Sequence, residues 1–318
     1  MRRKNRSGFT LIELLVVVSI IALLISILLP SMAKARELAR RAVCATNLNN
    51  VGKGFYTYAT ENNDSWPIPA PNSTMNPNPT PVQYYNMTGR YGGALAAGDP
   101  ATQVSGGYWG QLSTTRTLWV LVKTGGFSSK SFICPSGTDA YDPVENPADH
   151  WDFTANSSAP AGGPDRGWNA AVNNERYVSY GVQVPYGQKG RPGTDSDPRM
   201  VLGADKGPYG GVALGDAQIT APPSSLNPNS SSPDDWMRYN SGNHGGQGSG
   251  EGQVVLFVDS HAEFANKPIV GAAMDNIYTA WDLNGNQPNY ASRCWGRRPS
   301  GALPSLVPVE HSDSLIYP

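Results

Sequence analysis

Gly8-Phe9-Thr10-Leu11-Ile12-Glu13 opens an apolar run that carries no further charge from Leu14 to Leu29. A basic tip, Met1-Arg2-Arg3-Lys4-Asn5-Arg6-Ser7, precedes it. The run is long enough to cross the hydrocarbon core of a bilayer, which takes about 20 residues. Its one acid, Glu13, sits near the start. An ionised carboxylate in that setting costs a few kcal/mol, so it needs a partner. A secretory signal peptide cut at Ala33-Lys34-Ala35 fits the basic start. It does not fit the run, because signal cores extend over only about 7–15 residues. Arg2, Arg3, Lys4 and Arg6 precede the run and Lys34, Arg36, Arg40 and Arg41 follow it, so the charge bias alone does not orient it.

Pro30 closes the run and is expected to kink the helix rather than end it. Beyond it Leu38, Ala42, Ala45, Leu48, Val51, Phe55 and Tyr58 recur at three- and four-residue steps, which predicts an amphipathic continuation. Gly52 and Gly54 weaken its last turns, and Asn62-Asn63-Asp64 before Trp66-Pro67 stops it near Asn62. At 1.5 Å per residue, a helix from Phe9 to there is roughly 80 Å long.

The remainder is rich in loop residues. Charged residues make up 15% of the chain while Gly and Pro number 35 and 27, a composition that suits an exported, loop-rich head. A net charge of −1 with no basic block excludes a nucleic-acid partner. A short helix is expected over Thr117–Lys123, a strand end at Ser131–Pro135, and strands over Arg176–Val184 and Arg199–Asp205. Gln253–Val258 and His261–Phe264 read as a hairpin with Asp259-Ser260 as a two-residue turn. A small antiparallel sheet laid on the amphipathic half of the helix makes the fold class α+β.

Glycine followed by Phe9-Thr10-Leu11-Ile12-Glu13 and an unbroken apolar helix, after a short basic leader, resembles the N-terminus of type IV prepilins and type II secretion pseudopilins. The resemblance covers residues 8–29. It implies that a prepilin peptidase cuts between Gly8 and Phe9 and that Phe9 becomes the N-methylated first residue. Glu13, then fifth in the mature chain, takes the position of the assembly glutamate. The new amine has a reference pKa of about 8 and is cationic. Glu13 lies four residues on and faces the same side of a helix, so it is expected to neutralise this amine in its own or a neighbouring subunit.

The resemblance further implies partners: the peptidase, other pilin or pseudopilin subunits, an assembly ATPase and an inner-membrane platform. It places the N-terminus in the cytoplasm and the head outside the bacterial inner membrane, later in a periplasmic or cell-surface filament. The expected organisation is leader 1–8, transmembrane and filament-core helix 9–30, amphipathic helix 31–63 and exported head 64–318. Cys44 with Asn47-Leu48, Cys134-Pro135-Ser136, and Asn243-His244-Gly245-Gly246 leading into Val255–His261 resemble a large-headed bacterial subgroup of pilin-like proteins. In that subgroup the turn is usually Asp-Gly, from which Ser260 departs.

Three cysteines without a CxxC pair do not suggest a zinc ribbon. In an exported domain a Cys44–Cys134 disulfide is the favoured pairing, leaving Cys294 free or intermolecular; three reduced thiols are the alternative. The histidines at 150, 244, 261 and 311 form no metal pair, and no metal site is expected. His244, His261 and Asp259 are expected to bond loop backbone rather than to form a site. Asp282, Asn284 and Asn286 alternate like the first half of a calcium loop but lack its downstream acid, so an Asn-Gly turn is the preferred reading and no cofactor is expected.

The function read from all this is structural: a non-enzymatic subunit of a type IV pilus or a secretion pseudopilus. The alternative is a membrane-anchored or filament-displayed adhesive or carbohydrate-binding head, drawing on tryptophans such as Trp236, Trp281 and Trp295. An anchored hydrolase comes third, since no nucleophile–base pair stands out.

Overall fold

A computed structural model describes residues 10–64, 66–67, 114–124, 126–141, 153, 177–183, 193–194, 196–209, 222–230, 232–245, 250–279, 281, 293–296 and 314–317. Helix α1, Leu11–Glu61, runs 51 residues, about 77 Å at 1.5 Å each, and continues through Pro30. Asn62 caps it where the sequence sets the stop. Every residue from Thr10 to Arg36 is exposed, most of them apolar. The hydroxyls of Ser19, Ser26 and Ser31 donate back to the carbonyls of Val16, Leu23 and Leu28, so these polar groups need no water.

The second half of α1 packs on the head. Its buried residues are Cys44, Leu48, Val51, Gly52, Phe55 and Ala59, the spacing of one helical face. Leu38 and Ala42, expected on that face, are exposed: the apolar contact begins only at Cys44. The glycines serve approach rather than weakness. A Cβ on Gly52 would lie 2.9 Å from the Ser260 hydroxyl and 3.1 Å from Leu256, and one on Gly54 would lie 2.5 Å from the Phe127 ring.

The head is a five-stranded antiparallel sheet in the order β4-β3-β2-β1-β7, so the fold is α+β as the pattern predicts. Its strands are β1 Tyr180–Gln183, β2 Val201–Asp205, β3 Gln253–Phe257, β4 Ala262–Ala265 and β7 Ile316–Tyr317; β5 Ile269–Gly271 pairs apart with β6 Asp275–Asn276. One face carries Tyr180, Val182, Leu202, Val254 and Leu256 into a core shared with α1 and with Leu118, Trp119, Leu121 and Val122 of α2, Thr114–Lys123. The other face carries Val201, Ala204, Val255, Phe257 and Ile316 under Ile277 and Tyr278. Because both faces are covered, β1, β2 and β3 are buried throughout and show no inside–outside alternation.

Three local expectations change. Ser131–Pro135 is not a strand end: a 3₁₀ turn, Ser129–Phe132, occupies the site, with the Ser128 hydroxyl accepting from Lys130 N at its start. The β1 strand begins at Tyr180, not Arg176. The hairpin turn has three residues rather than two. Phe257 N donates to His261 O at 2.9 Å, Ser260 N donates to Phe257 O at 2.9 Å, and Ser260 takes φ +68°, the left-handed position of a bulged three-residue loop. A glycine would take that φ at lower cost, which explains the Asp-Gly usual in the resembling subgroup.

Candidate functional site: an exposed helix and a buried junction

Gly8 and Phe9, the expected cleavage point, lie outside the described residues, and the described geometry begins at Thr10. There Thr10 N and Thr10 Oγ1 donate to Glu13 Oε2 at 2.9 and 2.8 Å, and Glu13 N donates to Thr10 Oγ1 at 3.3 Å. This is a reciprocal capping box, the T-x-x-E arrangement that satisfies orphan amides at a helix start. Sequence reasoning gave Glu13 a partner in the Phe9 amine and overlooked Thr10, although the spacing spells the motif. The box aims the carboxylate back toward the helix start, the end at which the processed amine would be carried.

The second locus sits where α1 meets the head. Glu37, Arg41 and Cys44 lie one and two turns apart on one side of α1. The Cys44 thiol donates to Cys134 Sγ at 2.7 Å, just beyond the 3₁₀ turn. Asp205 ends β2, and His244 precedes β3, held there by a bridge to Gly252 and by Glu251 N donating to His244 O. His244 Nε2 is 3.3 Å from Asp205 Oδ2 and 3.7 Å from Cys134 Sγ, and its Nδ1 faces Glu37 Oε1 at 2.7 Å. The Ser136 hydroxyl donates to Glu37 as well. Asp205 is oriented by Asn243 Nδ2 at 3.0 Å and Val254 N at 2.6 Å. Arg41 pairs with Glu251 and lies over the Phe264 ring, 4.0 Å from its centre.

Cys44, Cys134, Asp205 and His244 are at most 1% exposed, so no substrate reaches them from solvent. Their electrostatics follow from mutual contact. The hydrogen bond from Cys44 draws the Cys134 thiol down to about 6, overcoming burial and helped by His244. Cys44 is pushed up, first by that same bond and then by burial. Burial would lower His244, but its bonds to Asp205 and Cys134 lift it to about 10. Burial also acts upward on Glu37, and His244 and Ser136 outweigh it to hold the carboxyl below its usual range. A low-pKa sulfur beside a second sulfur, an imidazole and a carboxylate can be oxidised or can ligate a cation.

The structure thus brings the sulfurs of Cys44 and Cys134 to 2.7 Å of each other, in the pairing that the sequence reading favours. It does not bring His244 to His261. His261 instead pairs with Asp259 at the hairpin and stacks on Phe257, 4.3 Å between ring centres. His244 in a buried polar cluster departs from the expected loop-backbone role. Cys294 is buried against Trp236 and Ile269 and donates to Met274 O. Trp236 and Trp281 are buried, and Trp295 donates to Leu226 O, so these tryptophans pin loops rather than present a surface. Asp282, Asn284 and Asn286 lie outside the described residues.

Residues 3–29 match the family described as the prokaryotic N-terminal methylation motif. The chain is 43% identical over 60 residues to the type IV wide pilus major component PilA4 of Thermus thermophilus, a stretch covering 19% of this chain and 46% of that protein. The chain therefore spans less than half the length of the curated relative it matches. No solved structure matches it. Together with the long apolar helix and antiparallel head, these matches support a type IV prepilin-like protein.

Proposed function

We propose that the chain is a structural filament subunit. A prepilin peptidase removes residues 1–8, Phe9 is N-methylated, and subunits leave an inner-membrane platform by stacking their α1 helices. One observation carries this reading: from Leu14 to Leu29 the helix is exposed and almost wholly apolar, with Glu13 just before that stretch. Such a surface is stable only in lipid or against copies of itself. The helix crosses the membrane with its tip cytoplasmic and its head exported, and Glu13 neutralises the Phe9 amine as subunits dock. The likeness to PilA4 favours a type IV pilus over a secretion pseudopilus. The role is mechanical rather than catalytic.

Mass spectrometry of the native N-terminus, with electron microscopy of sheared filaments, tests the reading. N-methyl-Phe9 in a polymer is expected. A native protein that still begins at Met1 and is found in no filament overturns it.

A further inference from the structure

We propose that Cys44, Cys134, Asp205 and His244 bind a structural zinc ion that staples α1 to the head. The four candidate ligand atoms lie within 4.8 Å of one another, and all four side chains are buried. Tetrahedral zinc, with bonds of about 2.0–2.3 Å, sets neighbouring ligand atoms roughly 3.3–3.8 Å apart. The 3.3 Å between His244 Nε2 and Asp205 Oδ2 and the 3.7 Å between His244 Nε2 and Cys134 Sγ meet this spacing. The two sulfurs, at 2.7 Å, separate by about 1 Å to admit the ion.

The surroundings are those of a metal-binding histidine. Its Nδ1 is held by Glu37 at 2.7 Å, which leaves Nε2 to face the sulfurs and Asp205. A carboxylate behind the ring is the usual device for fixing the tautomer of a metal-ligating imidazole. Asn243 and Val254 N likewise fix the Asp205 carboxylate. The chemistry selects the ion: two thiolates with an imidazole suit zinc, whereas calcium takes oxygen ligands.

The ligands come from four separate places in the chain: α1, the segment after the 3₁₀ turn, the end of β2 and the approach to β3. One ion therefore joins the membrane rod to three parts of the head, at the level where α1 first becomes buried. This inference stands apart from polymerisation and holds for the unassembled chain.

The test uses full-length protein extracted in mild detergent, purified anaerobically without chelator, and assayed for zinc by inductively coupled plasma mass spectrometry. About one zinc per chain is expected in the wild type and in Cys294→Ser. Occupancy should be lost in Cys134→Ser and His244→Gln, and affinity should fall about 10- to 100-fold in Glu37→Gln. Should the ligand variants fail to fold, cobalt exchange into wild type decides alone: a sulfur-to-cobalt charge-transfer band with tetrahedral visible bands supports the site. Background zinc in wild type with both thiols reduced, a cobalt spectrum without sulfur bands, or a Cys44–Cys134 disulfide in the natively purified protein overturns it.

Discussion

The two halves of α1 differ in what they are written for. From Leu14 to Leu29 the helix carries no charge and is exposed on every side among the described residues. From Cys44 to Ala59 it buries a single face, and glycines replace larger residues where Leu256, Ser260 and Phe127 come close. A one-sided pattern specifies a partner inside the same chain. An all-round pattern specifies surroundings that the chain does not contain. The helix is thus one rod with two addressees.

The largest expected effect breaks the first half alone. On the proposed pairing, Glu13→Leu would leave the Phe9 amine without a counter-charge in lipid, a loss of a few kcal/mol where each 1.4 kcal/mol is about tenfold. Filament yield, counted by electron microscopy, should fall roughly a hundredfold while the melting temperature of the head stays at the wild-type value. Phe55→Ala breaks the other half. It opens a cavity in the shared core and should cost about 3–5 kcal/mol of head stability in a denaturant titration. Leu15→Ala, its exposed counterpart, should shift the same titration by less than about 0.5 kcal/mol.

Gly52→Val sharpens the contrast. Valine has the better helix propensity of the two, yet here its side chain meets the hairpin turn, and a destabilisation of about 1–3 kcal/mol is expected. The smallest effect concerns that turn. Burial acts upward on the Asp259 carboxyl, but the backbone and ring of His261 hold it below its ordinary 3.8. A depressed carboxyl contributes stability above its unfolded value and loses it as the pH falls through the folded one. Asp259→Asn should therefore melt lower than wild type at neutral pH by under about 1 kcal/mol, water screening the pair. The two melting curves should converge as the pH drops below 3.8.

Much of the rod was legible, since periodicity over dozens of residues is a strong signal and the stop at Asn62 has its own chemistry. The second face of the sheet was not. Its cover comes from Val270 of β5 and from Ile277 and Tyr278 just after β6, segments too short to show any period. The junction cluster was legible only in pieces. Cys44, Cys134-Pro135-Ser136 and Asn243-His244 stood out as separate fragments, and Asp205 read as the end of a strand. No local spacing announces ligands that meet only through tertiary contact, so neither a CxxC pattern nor paired histidines marked them. Glu37, a lone acid among basic neighbours in the sequence, gains its meaning only from His244 beside it in the fold.

The place of β7 has a consequence for how the subunit matures. Ile316 and Tyr317 complete the sheet against β1, while Ser314 N donates to Asp275 and Ile316 N to Ile277 beneath it. Ribosomes deliver Tyr180 long before Ile316, so β1 stays an open edge of the sheet until the last of these residues arrives. The long helix is therefore complete while the sheet is still unfinished, and a chain interrupted just short of Ser314 would leave β1 without its last partner.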